Sequence, residues 1–497
     1  MSPARAVEPV SAGSLSGFDH ECDVLVVGFG CAGAAAAFEA ASAGADVVVL
    51  DRAGGPGGAS ALSGGELYLG GGTPVQRACG FEDTAEDMFA YLEAALGPHP
   101  DREKLRLYCD GSTEHFQWFC ERGLAFNEGL YDAPSWIPPT EDGLMWLGEN
   151  AWPYNTLARP VPRGHRPAAK SFGGWLVMEK LVAAARSAGA VAHVDTSATN
   201  LVVDDGGRVS GVVARRYGER LTYRARRAVV LTTGGFVDSE EMLEQHVPVL
   251  LGHGKVSAGL DDGSGIRMAT ALGAATRRMA SVEIAMQVLP ALITRGMLVN
   301  GNGQRFLNED VYPGLISTEA VRNQPGPYWA IIDQEGYEDI PEADLWGVRP
   351  RFVEESLSDL EKSLDVPEGS LATTVATYNA HAKRGEDPYF HKDRAWLRPL
   401  KTPFAAIDPR AGFAAGGRGG AAGTGVAGFT LGGLSTTVDG EVLHVSGRPL
   451  PGLYAAGRAS SGMHGEGYVS GTSLGDGTFF GRRAGRAAAV DGVPHAE

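Results

Sequence analysis

The feature that most constrains this chain is a glycine fingerprint placed between a predicted strand and a predicted helix. The apolar run 24–27 leads into Gly28-Phe29-Gly30-Cys31-Ala32-Gly33, a small-residue helix is predicted over 34–42, and Asp51 follows the apolar run 47–50. In such a unit Gly28 permits the tight turn, Gly30 lets the backbone approach a pyrophosphate, and Gly33 lets the helix pack on the strand. Helix N–H groups would face the phosphates, and Asp51 would accept hydrogen bonds from ribose hydroxyls. The pattern predicts a dinucleotide site in an α/β fold; a plain tight turn is the alternative.

A second glycine cluster follows the fingerprint and extends the predicted site. Gly54-Gly55-Pro56-Gly57-Gly58-Ala59-Ser60 and Ser63-Gly64-Gly65 offer many backbone donors in one place. A nicotinamide site does not need this cluster, whereas an extended FAD lying across the sheet would use it. Arg52, beside Asp51, suits either a phosphate contact or a surface ion pair. Near the end of the chain, the glycine motifs at 451–458 and 468–477 look like the flavin-contacting end of an FAD enzyme. The two ends together favour a flavin oxidoreductase over a nicotinamide dehydrogenase.

The charge of the chain excludes some classes of partner. The 497 residues carry a formal net charge of −17, from 43 Lys and Arg against 60 Asp and Glu. Such a field repels phosphate backbones and anionic membrane surfaces, so we expect no nucleic acid and no membrane as partner. The five cysteines form no Cys-x-x-Cys and no Cys/His ligand spacing, and we expect no metal site. Residues 1–23 contain no apolar signal-peptide core, and we expect a cytoplasmic protein.

Length and composition predict more than one domain. Residues 1–20 are spotted with Ser, Gly and Pro and are expected to form a loose tail. We assign 21–278 and 428–497 to two parts of a Rossmann-like FAD-binding domain. The stretch 279–427 is assigned to an inserted α+β substrate domain that ends in a Gly-rich loop at 414–427. Residues 126–175 are irregular but rich in Trp and Tyr, and we expect them to cover a pocket, because disorder disfavours tryptophan.

These motifs resemble the FAD-binding family of fumarate reductase and succinate dehydrogenase flavoproteins, and most of all its 3-ketosteroid dehydrogenases of the Δ4-(5α) type. The similarity extends over nearly the whole chain, and its most discriminating part is 467–477; only the Gly/Ala-rich stretch 414–427 looks like an insertion. The resemblance implies that FAD is bound by further residues besides Gly28, Gly30, Gly33 and Asp51. They are Ala32, Arg52, Gly58, Ala59, Ser60, Ser63, Gly64, Gly65, Ala198, Gly234, Asp262, Gly457, Arg458, Ser473 and Leu474.

Three hydroxyl-bearing residues are the candidates for the chemistry. Tyr468 and Ser470 stand two residues apart between glycines, where an extended chain would turn both side chains to one face. The steroid dehydrogenases use a similar Tyr–Ser pair and a tyrosine of the inserted domain, which Tyr312 resembles; an ordinary surface tyrosine is the alternative. Fumarate reductases of the family place an arginine where Tyr468 stands. His464 matches a histidine that they use for carboxylate binding, or it is a polar residue in a turn.

The resemblance and these hydroxyls imply FAD-dependent dehydrogenation of a cyclic, steroid-like ketone next to its carbonyl, which gives an α,β-unsaturated ketone. Loss of an α-proton and a β-hydride requires a polarised carbonyl and a proton acceptor, and flavin N5 would take the hydride. We expect a small apolar ketone as substrate and an electron acceptor that the sequence does not identify. Two alternatives stay open. One is a flavin-dependent C=C reductase acting on an enone or unsaturated acid, and the other is a flavin-binding protein without enzymatic activity.

Overall fold

The structure, a computed structural model, describes residues 7–286, 289–345, 347–409 and 426–492. Its α-helices are Cys31–Ser42, Gly58–Leu62, Pro74–Ala78, Ala85–Ala95, Arg102–Asp110, Ser112–Glu121, Tyr154–Leu157, Gly174–Ser187, Glu240–His246, Ser264–Thr270, Pro290–Ile293, Pro313–Asn323, Gln334–Glu338, Leu357–Leu364, Ser370–Ala382 and Thr472–Val490. None of the helices in this described part of the chain is long and apolar enough to cross a membrane.

The largest sheet within the described residues has nine strands and contains the fingerprint. Seven strands follow one another in the order Val10–Ser11, Thr196–Val203, Val209–Arg216, Glu219–Leu231, His20–Val27, Val47–Leu50 and Val191–His193. Pro449–Ala455 also pairs with Glu219–Leu231, in parallel, and Glu441–Leu443 pairs with Pro449–Ala455. The strands on both sides of the fingerprint helix are parallel, which confirms the predicted strand–helix–strand unit. Helices cover both faces of such strands, and this burial explains their continuous apolar runs.

The two ends of the chain meet where helix Thr472–Val490 packs along helix Cys31–Ser42. A Cβ at Gly481 would lie 2.6 Å from the carbonyl oxygen of Ala32, and a Cβ at Gly485 would clash with that of Ala36. The helices therefore approach to backbone contact only because glycine stands at these positions. This packing brings the last helix of the chain to the fingerprint.

A second sheet forms the centre of the inserted part. Its strands are antiparallel, in the order Met297–Val299, Trp329–Asp333, Phe404–Ile407 and Phe352–Glu354. Helices Leu357–Leu364 and Ser370–Ala382 bury their apolar residues against this sheet. The strands Val282–Met286 and Val426–Thr430 pair with each other near the two ends of the insertion. This arrangement confirms the predicted fold class, a Rossmann-like FAD-binding domain with an inserted α+β domain, while the boundaries at 278/279 and 427/428 stay predictions.

The aromatic segment predicted to cover a pocket is ordered by a small sheet. Its strands, each of two residues, follow the order Leu67–Tyr68, Gly164–His165, Leu144–Met145 and Leu130–Tyr131. Beside this sheet, Arg163 Nη2 and Asp83 Oδ1 form a buried ion pair at 2.7 Å. The segment therefore has a fixed position from which its aromatic rings can line a site.

Three local predictions need correction. Within the tail predicted as loose, Val10–Ser11 forms an edge strand parallel to Thr196–Val203, because backbone pairing does not depend on the polar composition around it. The helical pattern over 102–122 is two helices, since Gly111 lies against the ring of Phe479 from the far end of the chain. Residues 426 and 427 of the predicted Gly-rich loop belong to a strand, and residues 410–425 lie outside the described part.

Candidate active site

The glycines of the fingerprint have the roles that their spacing predicts. Gly28 has φ +106°, and a Cβ there would clash with the carbonyl oxygen of Thr232. A Cβ at Gly33 would clash with the carbonyl oxygen of Gly28, so only glycine permits this close turn. Gly30 differs, because a Cβ there would meet only Ser60 Oγ at 3.4 Å and Gly57 O at 4.0 Å. The backbone of Gly30 is therefore open on one side.

The second glycine cluster contacts the first. The N–H of Gly57 donates to the carbonyl oxygen of Phe29 at 2.9 Å, and the N–H of Cys31 donates to Ser60 Oγ at 3.2 Å. Ser60 lies in helix Gly58–Leu62, which also contains Ala59. Of the next predicted residues, Ser63 Oγ donates back to Ser60 O at 2.7 Å, while Gly64 and Gly65 follow in the chain. The two clusters thus form one surface of backbone groups.

Asp51 and Arg52 lie at the end of strand Val47–Leu50. The carboxylate of Asp51 accepts the N–H of Phe29 at 2.7 Å and that of Ala53 at 2.8 Å, and burial raises its pKa. Arg52 Nη1 forms an ion pair with Asp262 Oδ2 at 2.7 Å, which is the ion-pair alternative from the sequence. These two predicted cofactor residues therefore bind each other, and their contact with a cofactor stays a prediction. Ala198 is close by, in the strand Thr196–Val203, whose first N–H donates to the carbonyl oxygen of Asp51.

The second half of the chain returns to the same place. Gly457 has φ +63°, and a Cβ there would lie 2.9 Å from the Cβ of Ala32 in the fingerprint helix. Arg458 Nη1 forms an ion pair with Asp261 Oδ2 at 2.6 Å, and a Cβ at Gly234 would clash with the same carboxylate. Ser473 and Leu474 lie in the first turn of helix Thr472–Val490, which packs on the fingerprint helix.

These residues fit an FAD molecule. Helix Cys31–Ser42 begins at Gly30 without a side-chain hydrogen bond at its N-cap, so N–H groups of its first turn are available to a phosphate. A Cβ at Gly55 or Gly58 would have nothing within 4 Å, which leaves room along the second cluster for an extended cofactor. Bound FAD would lie along these glycines.

The three predicted hydroxyls converge. The oxygen of the Tyr312 hydroxyl lies 3.0 Å from Ser470 Oγ, although 158 residues separate them in the chain. The ring centroids of Tyr312 and Tyr468 are 6.5 Å apart, and the Trp136 ring packs at an edge against Tyr312 at 5.9 Å. Tyr312 is only 2% exposed, so the surface-tyrosine alternative is wrong. The aromatic segment, the inserted part and the terminal glycine motif thus supply one group each.

Both phenols are hydrogen-bond donors and not tyrosinates at neutral pH. Burial raises the pKa of Tyr468 and of Tyr312, and the nearby carboxyls of Glu283 and Glu66 raise both further. The N–H of Ser473 donates to the Tyr468 oxygen. Because that oxygen already accepts one bond, the Tyr468 proton is free to be donated to a ligand.

The two acidic residues beside these phenols were not found from the sequence. Glu283 and Glu66 are 3% and 7% exposed, and burial raises the pKa of each. Glu283 is the one acid in the strand Val282–Met286, and Glu66 follows the second glycine cluster directly. An acid within an otherwise apolar strand is the signal that could have revealed Glu283, since carboxylates are rarely buried without a purpose.

His464 does not present a charge to a ligand. Burial lowers its pKa to about 3, its Nε2 lies 2.9 Å from Thr472 Oγ1, and its ring stacks on Tyr468 at 5.6 Å. A neutral imidazole bound to a neighbouring hydroxyl supplies no cation for a carboxylate. The alternative of a polar residue held within a turn fits these contacts.

A cleft of about 770 Å³ opens beside the hydroxyls. Its walls include Trp152 and Tyr154 from the aromatic segment, Val311 and Leu315 on either side of Tyr312, and Gly467 next to Tyr468. The volume is in the range of small-molecule sites, and apolar side chains form much of its wall.

Comparison with known proteins agrees with this geometry. The FAD binding domain family matches residues 23–474. The structure of 3-ketosteroid-Δ4-(5α)-dehydrogenase from Rhodococcus jostii RHA1, in complex with 4-androstene-3,17-dione, is 47% identical, with a TM-score of 0.92 over 97% of this chain and 100% of that chain. A 3-oxo-5-alpha-steroid 4-dehydrogenase of Comamonas testosteroni is 26% identical, covering 92% of this chain and 96% of the relative. A probable fumarate reductase of Shewanella frigidimarina is 27% identical, covering 95% of this chain and 76% of the relative. The chain therefore belongs to the FAD binding domain family, and it is an FAD-dependent oxidoreductase that acts on CH–CH groups and resembles the 3-ketosteroid dehydrogenases.

Proposed function

We propose that this enzyme dehydrogenates a cyclic, steroid-like ketone at the carbon–carbon bond next to its carbonyl and gives an α,β-unsaturated ketone. The observation that carries the proposal is the convergence of Tyr468, Ser470 and Tyr312 beside a largely apolar cleft. Bound FAD would supply the hydride acceptor, its N5 atom. The protein must polarise the carbonyl, remove the α-proton and hold the ring in place.

Tyr468 is placed to polarise the carbonyl. Negative charge develops on the carbonyl oxygen as the α-proton leaves, and a donor fixed at that oxygen stabilises it. The raised pKa keeps the phenol protonated, and the bond from the Ser473 N–H points its proton away from the helix. In the buried site this single bond acts in a low dielectric, where it is stronger than in water.

Ser470 and Tyr312 are placed to take the α-proton as a pair. Their oxygens are within hydrogen-bonding distance at 3.0 Å, so a proton accepted by one can pass to the other. Neither group is a strong base alone. The pair therefore acts as a relay from the substrate carbon into the protein.

The walls of the cleft favour an apolar substrate. Trp152, Tyr154 and Leu315 offer flat hydrocarbon surface, and His464 is neutral. The Rhodococcus jostii RHA1 relative was solved with 4-androstene-3,17-dione, a ketone of matching size and polarity. We propose a 3-ketosteroid or a similar cyclic ketone as substrate and leave the electron acceptor unassigned.

The test is anaerobic reduction of the bound flavin. The 4,5-saturated form of 4-androstene-3,17-dione should bleach the flavin, and mass spectrometry should find a product two hydrogen atoms lighter. Succinate at the same concentration is the control and should leave the flavin oxidised. A flavin that stays oxidised with every saturated cyclic ketone, or that is bleached by succinate, would contradict the proposal.

The reverse reaction is the remaining alternative, since the same hydroxyls could protonate an enone. It is tested by mixing chemically reduced enzyme with 4-androstene-3,17-dione or with fumarate. Reoxidation by fumarate would identify an unsaturated-acid reductase, which the neutral His464 and the tyrosine in place of the family's arginine disfavour.

A further inference from the structure

Glu283 occupies an unusual position in the strand Val282–Met286. The side chains of Val282, Ile284 and Met286 share one face and pack in a common apolar cluster. Glu283 points to the opposite face, yet it is only 3% exposed. On that face it lies toward Tyr312 and not toward water.

The surroundings of Glu283 include room made for it. A Cβ at Gly314 would lie 2.5 Å from Glu283 Oε1 and would clash with the ring of Tyr312, so glycine lets the two side chains approach. The Tyr312 hydroxyl donates a hydrogen bond to the Glu283 carboxyl. Oε2 of Glu283 has no hydrogen-bond partner within the described residues. A buried oxygen without a partner is unfavourable, so packing alone gives no reason for an acid here.

The contacts define a direction for the hydrogen-bonded chain. The Tyr312 hydroxyl has one proton, and it is donated to Glu283. The Tyr312 oxygen must then accept the proton of Ser470 Oγ, which lies 3.0 Å away. Ser470 keeps its lone pairs for the substrate. The chain therefore leads from the substrate carbon through two hydroxyls to a carboxylate.

We propose that Glu283 is the terminal proton acceptor of this relay, an inference that rests on the proposed function. The α C–H bond of the ketone breaks, its proton passes to Ser470 Oγ, the Ser470 proton passes to Tyr312, and the Tyr312 proton passes to the Glu283 carboxylate. The electron pair of the α C–H bond forms the new C=C bond. The β-carbon loses its hydrogen as hydride to N5 of FAD, so the ketone loses one proton and one hydride in total.

Two other charged groups face these hydroxyls. Glu66 acts on the pKa of Tyr312 and Tyr468 through space, and Arg458 acts on that of Tyr468. No hydrogen bond joins Glu66 to Tyr312 among the described contacts, whereas Glu283 has one. Burial also raises the pKa of Glu283, which makes its carboxylate a stronger proton acceptor than an exposed one.

The experiment separates proton removal from hydride transfer. Enzyme with chemically reduced FAD cannot accept a hydride, so a saturated 3-ketosteroid in D₂O can only exchange its α-protons, which mass spectrometry of the recovered ketone measures. Glu283→Gln keeps the shape and the acceptor oxygen but cannot take a proton at neutral pH. We expect its exchange rate to fall by about 100-fold or more, while flavin content and the dissociation constant of the ketone stay unchanged.

Three variants show that the loss comes from the relay. Glu361→Gln is the matched control, because Glu361 is also 3% exposed in the inserted part and accepts the N–H groups of Gly369 and Ala372 at 2.8 Å. It should lower thermal stability and leave exchange unchanged. Glu283→Asp should recover part of the exchange. In a Tyr312→Phe background, Glu283→Gln should have no further effect, since two residues of one relay are not additive.

The outcomes are distinct. Wild-type exchange in Glu283→Gln, or loss of exchange in Glu66→Gln but not in Glu283→Gln, would overturn the role of Glu283 and leave the proposed function intact. Absence of exchange and of flavin bleaching in the wild-type protein would instead overturn the proposed function.

Discussion

Tyr468→Phe removes one oxygen and leaves the ring. That ring packs at an edge on Phe429 with centroids 5.3 Å apart and stacks on His464 at 5.6 Å, and neither contact involves the hydroxyl. The folded structure should therefore be retained, although the Ser473 N–H loses its acceptor. The proton that Tyr468 would give to the carbonyl oxygen is lost entirely.

The size of the effect follows from when the bond matters. In the bound ketone the lost bond is an ordinary neutral one, worth about 1 kcal/mol, so the dissociation constant should rise by roughly fivefold. In the transition state the same bond faces a developing oxyanion, and loss of one such donor costs ~2.7–4 kcal/mol, or about 100- to 1000-fold in rate. The rate should therefore fall much more than the affinity.

Stopped-flow bleaching of the flavin at saturating ketone measures this step. Tyr337→Phe is the matched control, because its hydroxyl donates to the carbonyl oxygen of Val348 in the inserted part, and it should reduce its flavin at the wild-type rate. Wild-type bleaching by Tyr468→Phe, or a loss confined to affinity, would refute the assignment of Tyr468 to carbonyl polarisation.

Four further predictions follow from other parts of the structure. FAD should be bound noncovalently, so acid precipitation should leave the yellow colour in the supernatant; colour in the pellet would contradict this. Gly28→Ala should lose bound flavin, measured by its absorbance, because the new Cβ would clash with Thr232 O at φ +106°. Fumarate and succinate should bind weakly in calorimetric titrations, since burial lowers the pKa of His464 to about 3; tight binding would refute the apolar site. Because burial raises the pKa of Glu283 in the folded state, ionisation destabilises the fold as pH rises above the unfolded value of about 4.3. Glu283→Gln should therefore raise the melting temperature more at a pH of about 8 than at about 4, and an equal change at both would contradict this.

The parts of the fold that the sequence predicts best are those set by local geometry. Gly28 and Gly33 stand where any Cβ would meet backbone, so their spacing alone implies the turn, the strand before it and the helix after it. The break of the helical pattern at Gly111 could not be found in this way. Its cause is the ring of Phe479, more than three hundred residues away, and no local pattern contains that contact.

The site divides along the same line. Tyr468 and Ser470 were paired from the sequence because an extended segment between glycines turns both side chains one way. Tyr312 was assigned by resemblance, since its distance from Ser470 depends on how the inserted part packs on the rest of the chain. Glu283 was missed because alternation in a half-buried strand assigns the polar face to solvent, and here that face is covered by Tyr312 instead.

This division has a consequence for the chemistry. Tyr312 is the N-cap of helix Pro313–Asn323, and Glu283 lies in a strand at the start of the insertion, whereas Ser470 directly precedes the N-cap of the last helix. The proton relay therefore exists only while the inserted part is packed against the terminal glycine motif. A displacement of about 1 Å between these parts would stretch the 3.0 Å contact between Tyr312 and Ser470 beyond hydrogen-bonding distance. Removal of the α-proton is thus tied to closure of the inserted part over the cleft, whereas the glycines that would bind FAD lie within one domain and do not depend on it.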